Sequence, residues 1–131
     1  IVRNGRVVFL DWEFALYGDP VYDVATHLHK MGYLPQEQDA FLASWIAAEP
    51  EAATGEWRRD LQTYLAHERV KSVIVDAVRY SKALRHGAGD VAAEAALVGS
   101  MAGKLRLARE VWGQSEPVDD GMVEAVLRGR G

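Results

Sequence analysis

From Trp57 onward the residues of one face, Leu61, Tyr64, Leu65, Val73, Ile74, Ala77, Val78, Ser81 and Leu84, recur at helical spacing until His86-Gly87 ends the pattern. A periodic stretch of that length is a major core helix. Helix signals flank it on both sides. Asp19-Pro20 places an acid at an N-cap and proline at the first helical position, predicting a helix to about Met31 that stops at Gly32. A second helix begins at Pro35, carries Glu37 and Asp39 early, and is expected to bury Phe41, Leu42, Trp45 and Ile46. Glu49-Pro50 to Gly55 reads as a loop. Beyond the long helix, Asp90 caps another with Val91, Ala95, Val98, Met101, Ala102, Leu105, Ala108 and Trp112 inward, and a short last helix follows Asp119-Asp120.

The N-terminal end has a different period. The apolar run Val7-Val8-Phe9-Leu10, entered through Asn4-Gly5, reads as the second strand of a tight hairpin that stops at Asp11. The expected fold class is therefore α+β and mostly α-helical, with one β-hairpin followed by about five helices. There is no repeat and no low-complexity tract. The chain starts at Ile1, already inside the first strand, and is expected to be the C-terminal piece of a longer protein, residues 1–131 forming part of one domain.

Bulk properties narrow the function classes. With 131 residues, 49% apolar and 26% charged, the chain suits one ordinary domain with a real core. A formal charge of −4 gives no electrostatic case for nucleic acid or an anionic membrane surface. The absence of cysteine excludes disulfides and thiolate zinc sites, no apolar run is long enough to span a bilayer, and no signal-peptide layout occurs, so the expected location is cytoplasmic.

Chemistry concentrates near the hairpin. Asp11-Trp12-Glu13 puts a carboxylate at the mouth of a buried strand, where a rigid hard-oxygen ligand suits a magnesium ion bridging substrate phosphates. Gly18-Asp19-Pro20 and Asp23 are accounted for, taken alone, by helix-start chemistry. In combination, a strand, Asp-Trp-Glu, Gly-Asp-Pro and then Asp23 resembles the aminoglycoside phosphotransferase and choline kinase family, small-molecule kinases of protein-kinase-like fold. The resemblance runs from Ile1 to about Leu28, with only general helical similarity beyond.

The resemblance implies that these residues belong to the C-terminal lobe of a kinase-like fold. It implies that Asp11 binds Mg2+ at the phosphates of ATP or GTP, that Glu13 is a secondary contributor to nucleotide binding, and that Asp19 and Asp23 are structural, Asp23 as a buried helix-start acid supporting the catalytic loop. That loop, His-x-Asp-x-x-x-x-Asn, supplies the family's base and second metal ligand and precedes the hairpin; it does not occur here, nor do the phosphate-covering loop and its lysine. The expected function is transfer of a γ-phosphate to the hydroxyl of a small acceptor. These 131 residues alone are expected to be inactive, with apolar surface at the Ile1 end open to self-association. An acidic pocket from Glu94, Glu110, Asp119, Asp120 and Glu124 would suit a cationic acceptor such as an aminoglycoside or amino alcohol.

Other groupings read as structure. His27 and His29, two apart on a helix, point in different directions and do not form a helical metal pair, although His27 shares a face with Asp23. Arg69, Lys71, Arg79, Lys82 and Arg85, interspersed with Glu68 and Asp76, are expected to form a solvated helix surface. Trp45, Trp57 and Trp112 read as core rather than as a substrate pocket. Two alternatives stay open: a non-catalytic helical interaction module that keeps the motif as scaffold, and an Asp-x-Glu phosphohydrolase resembling the haloacid dehalogenase type, which would need parallel strands.

Overall fold

The computed structural model describes residues 2–7, 17–87 and 89–129. Strands β1 (Val2–Arg3) and β2 (Arg6–Val7) pair antiparallel, Val2 opposite Val7 and Arg3 opposite Arg6. The turn between them has positive φ at both central residues, 52° at Asn4 and 71° at Gly5. That geometry matches the twist of the flanking strands and is tolerated by Asn and Gly, which is why this dipeptide makes the hairpin. The expected course of the second strand through Leu10 to Asp11 lies outside the described residues.

Among the described residues five helices follow: α1 (Pro20–Met31), α2 (Pro35–Ala48), α3 (Trp57–His86), α4 (Val91–Trp112) and α5 (Asp120–Leu127). Their ends are set by local chemistry. Asp19 accepts from the Val21 N–H at 2.9 Å, and Gly32 closes α1 in the left-handed conformation, returning its N–H to Leu28. Glu37 reaches back to the Leu34 N–H at 2.8 Å to start α2. Asp90 and Asp119 cap α4 and α5 through the N–H groups of Ala93 and Met122, both at 2.8 Å.

Helix α3 is the common support. Its first part packs against α1, its second against α4, and α5 closes over α3 and α4. Among the described residues two apolar cores result. One gathers Val21, Val24, Ala25 and Leu28 of α1 with Trp57 and Leu61 of α3. The other joins Val73 and Leu84 of α3 to Val98, Met101, Ala102 and Ala108 of α4 and to Val123 and Leu127 of α5. Among the described residues no helix is long and apolar enough to cross a membrane.

Several side chains depart from the faces that periodicity assigned. Phe41, Leu42, Trp45 and Ile46 of α2 are only partly buried, because α2 lies over the edge of the first core and not inside it. Ile74 and Val78 of α3 are 63% and 56% exposed, whereas Glu68 and Asp76, expected on the solvated surface, are 3% and 8% exposed. The α4 face is covered only in its middle, so Val91 and Ala95 at one end and Trp112 at the other stay exposed. Trp57 is core as expected, with Trp45 5.3 Å away between ring centroids.

Candidate functional site

Asp11 and Glu13, the expected metal and nucleotide ligands, lie outside the described residues. The described part of the site begins at the Gly18-Asp19-Pro20 corner. Both carboxylate oxygens of Asp19 are engaged: Oδ1 by the Val21 N–H and Oδ2 by the Tyr64 hydroxyl of α3 at 3.1 Å. The Asp19 bond raises the Tyr64 phenol above its ordinary value. The helix start is therefore tied to a residue 45 positions later.

Asp23, expected to be a buried acid, is exposed. The reason is the helical period: Val21, Val24, Ala25 and Leu28 face α3, and Asp23 falls outside that stripe. His27, on the same helix, shares a hydrogen bond between its Nε2 and the Tyr33 hydroxyl at 2.9 Å and stacks on Phe41 with centroids 4.7 Å apart. It packs as a structural residue. His29 is partly buried, and burial followed by the nearby Lys104 charge pushes its imidazole below the ordinary value.

One turn beyond Tyr64, Glu68 forms the centre of a polar network that sequence reasoning missed. Its Oε1 accepts from the Tyr22 hydroxyl of α1 at 2.9 Å and from the Lys71 ammonium at 2.6 Å, and Lys71 also donates to the Tyr22 oxygen at 3.0 Å. His67 stands 3.5 Å from the same carboxylate, and Tyr22 meets Tyr64 edge to face at 5.4 Å. Burial by itself would raise the Glu68 carboxyl, but the bonds from Lys71 and Tyr22 outweigh it and hold the group below the usual glutamate range. The signal was present in the sequence: Leu61, Leu65, Glu68 and Ser72 follow one helical stripe, so an acid stood where an apolar residue was due.

The lowered Glu68 value fixes a direction for stability. The unfolded chain takes up the proton first, so this carboxylate stabilises the fold fully above its ordinary range and less as pH falls towards the lowered folded value. The urea midpoint of the parent should therefore drop on acidification through that window, and Glu68→Gln should flatten the drop. Parallel pH profiles for the two proteins would show that Glu68 gains nothing from its partners.

Of the acids expected around an acceptor pocket, Glu94, Asp120 and Glu124 line one cleft, each paired with an arginine. Glu94 and Glu124 both bind Arg128, at 2.6 and 2.9 Å, in the wall of a cleft of about 300 Å³ between α4 and α5. Asp120 pairs with Arg106, and Asp119 caps α5. Among the described residues no group of three or more His, Cys, Asp or Glu side chains is placed to hold a metal ion.

Comparison with known proteins adds one finding. No curated protein and no solved structure matches the chain significantly. A family model does match, over the stretch that holds Asp11-Trp12-Glu13, Gly18-Asp19-Pro20 and Asp23, and it ends in the first turns of α3, leaving α4 and α5 outside. Residues 1–61 carry the sequence pattern of the phosphotransferase enzyme family.

Proposed function

We propose that the chain is the C-terminal part of a kinase-like phosphotransferase that moves the γ-phosphoryl group of ATP or GTP to the hydroxyl of a small molecule. The observation that carries this reading is the family match over residues 1–61, which spans every motif position on which the resemblance rests. Phosphoryl transfer asks the protein mainly to position groups and to neutralise charge, so a metal-holding carboxylate is the part of such a site these residues would supply.

Asp11 would hold Mg2+, with Glu13 as a secondary contributor; both offer the hard oxygen donors that this ion takes. When bound, the ion supplies charge neutralisation at the nucleotide phosphates. Asp19 already accepts a hydrogen bond at each oxygen, which suits the structural role that the resemblance implies for it. Its work is to fix where α1 starts and, through Tyr64, to tie that start to α3. Asp23, exposed in the first turn of α1, would support a catalytic loop brought by another segment. The described strands pair antiparallel and all else described is helix or connection, which gives no support to the parallel sheet of an Asp-x-Glu phosphohydrolase.

The test is to incubate the complete gene product with magnesium, ATP or GTP, and a panel of amino alcohols and aminoglycosides, measuring nucleotide consumption. Thermal protection by the magnesium nucleotide is read in parallel. Acceptor-dependent consumption is expected. Neither consumption nor protection with either nucleotide would overturn the reading and favour a helical interaction module.

A further inference from the structure

A cleft of about 390 Å³ opens between α3, α4 and α5, and its chemistry differs from that of the cleft lined by Glu94 and Glu124. Its floor is made of buried side chains, Val73 of α3, Met101 of α4, and Val123 and Leu127 of α5. Met122 and Val126, 68% and 62% exposed, stand at the rim. Among the described residues that line the cleft, Asp119 alone is charged. It is exposed, and its Oδ1 accepts the Met122 N–H at the start of α5. The neighbouring Arg106, which donates to the Val118 carbonyl, is paired with Asp120. Every lining residue lies beyond residue 61, where the family match ends.

Small-molecule sites are concave, mostly apolar, and carry a few polar groups that fix the orientation of the ligand, and this cleft has that make-up. An apolar cavity of about 150 Å³ takes one benzene ring, so a volume of about 390 Å³ has room for roughly two rings or a hydrocarbon of that size. The two methionines in the lining can adapt to its outline. A polyhydroxylated cation suits this surface poorly, because hydroxyls turned towards it would lose water without gaining partners. A hydrocarbon body with a single positive charge suits it well: the body displaces water from the apolar floor while the charge stays beside the one carboxylate.

We propose that the α3–α4–α5 cleft is a binding site for a small apolar amine, its rings or chain seated on Val73, Met101, Val123 and Leu127 and its ammonium beside Asp119. The site rests on packing and charge alone and does not depend on the phosphotransferase reading.

The chain has three methionines, two of them in the cleft and the third, Met31, at the end of α1. With isotope-labelled methionine methyl groups, titration of naphthylmethylamine into the full chain should shift Met101 and Met122 saturably and leave Met31 in place. Naphthylmethanol, the same ring without the charge, should bind about twofold to fivefold more weakly, the scale of an exposed ion pair, and naphthoate more weakly still. Asp119→Asn keeps a side chain able to cap α5 and should remove the advantage of the amine over the alcohol. Ala77→Phe, which fills the cleft from α3, should abolish the shifts, and Val126→Trp at the exposed rim serves the same end where the first variant does not fold. Shifts of all three methyl groups together, a lack of saturation, or undiminished binding by a folded filled variant would overturn the site. Equal binding of amine and alcohol would overturn its assignment to a cation.

Discussion

Asp11→Asn is expected to leave the complete gene product without measurable phosphoryl transfer, a loss on the order of 10³-fold or more, as for other single groups that neutralise charge in this chemistry. Its thermal midpoint should move little, because a lost metal ligand changes the reaction more than the core. The substitution keeps size and shape while removing the charge, so the two readouts separate cleanly. Near-normal turnover by this variant would mean that the family's metal position does not pass to Asp11. A large fall in midpoint would give the carboxylate a structural role.

The largest effect on stability should come from Trp57. It is buried at the start of α3, where it packs with Trp45 of α2 and closes the core formed by Val21, Val24, Ala25 and Leu28. Trp57→Ala removes a ring that neither α1 nor the half-covered α2 can replace, and should cost about 3–5 kcal/mol. Urea unfolding followed by far-ultraviolet circular dichroism measures this without relying on the lost indole. A cost below about 1 kcal/mol, the scale of an ordinary surface change, would show that α2 and α3 do not share this core.

The helix ends were legible in the sequence because capping is local chemistry. Asp19-Pro20 with Gly32, Asp90, and Asp119 each satisfy backbone groups within a few residues, and each sits where the pattern put it. The inward face of α3 was less legible. Its partner changes from α1 to α4 along its length, so one apolar stripe read across the whole helix averages two different faces. That is how Ile74 and Val78 came to be assigned inward while Glu68 and Asp76 took the buried positions. Periodicity records where apolar groups are, but a buried acid is stable only with partners, and those of Glu68 and Asp76 include Tyr22, 46 residues earlier, and Lys104 on another helix. Of the candidate site, the acidic motif was legible as a pattern of residue types. The tie from Asp19 to Tyr64 was not, since it depends on how two distant helices pack.

That tie bears on how the chain can be dissected. A family signature that ends at residue 61 invites a cut there, yet the hydroxyl that holds the second oxygen of Asp19 belongs to Tyr64, and Leu65, Glu68 and Lys71 complete what α1 leans on. A piece trimmed to the signature would keep every recognisable motif and lose the side chains that hold the motif's corner in place. A segment meant to present that corner in its native shape is expected to need the chain at least through Lys71, ten residues past the end of the family match.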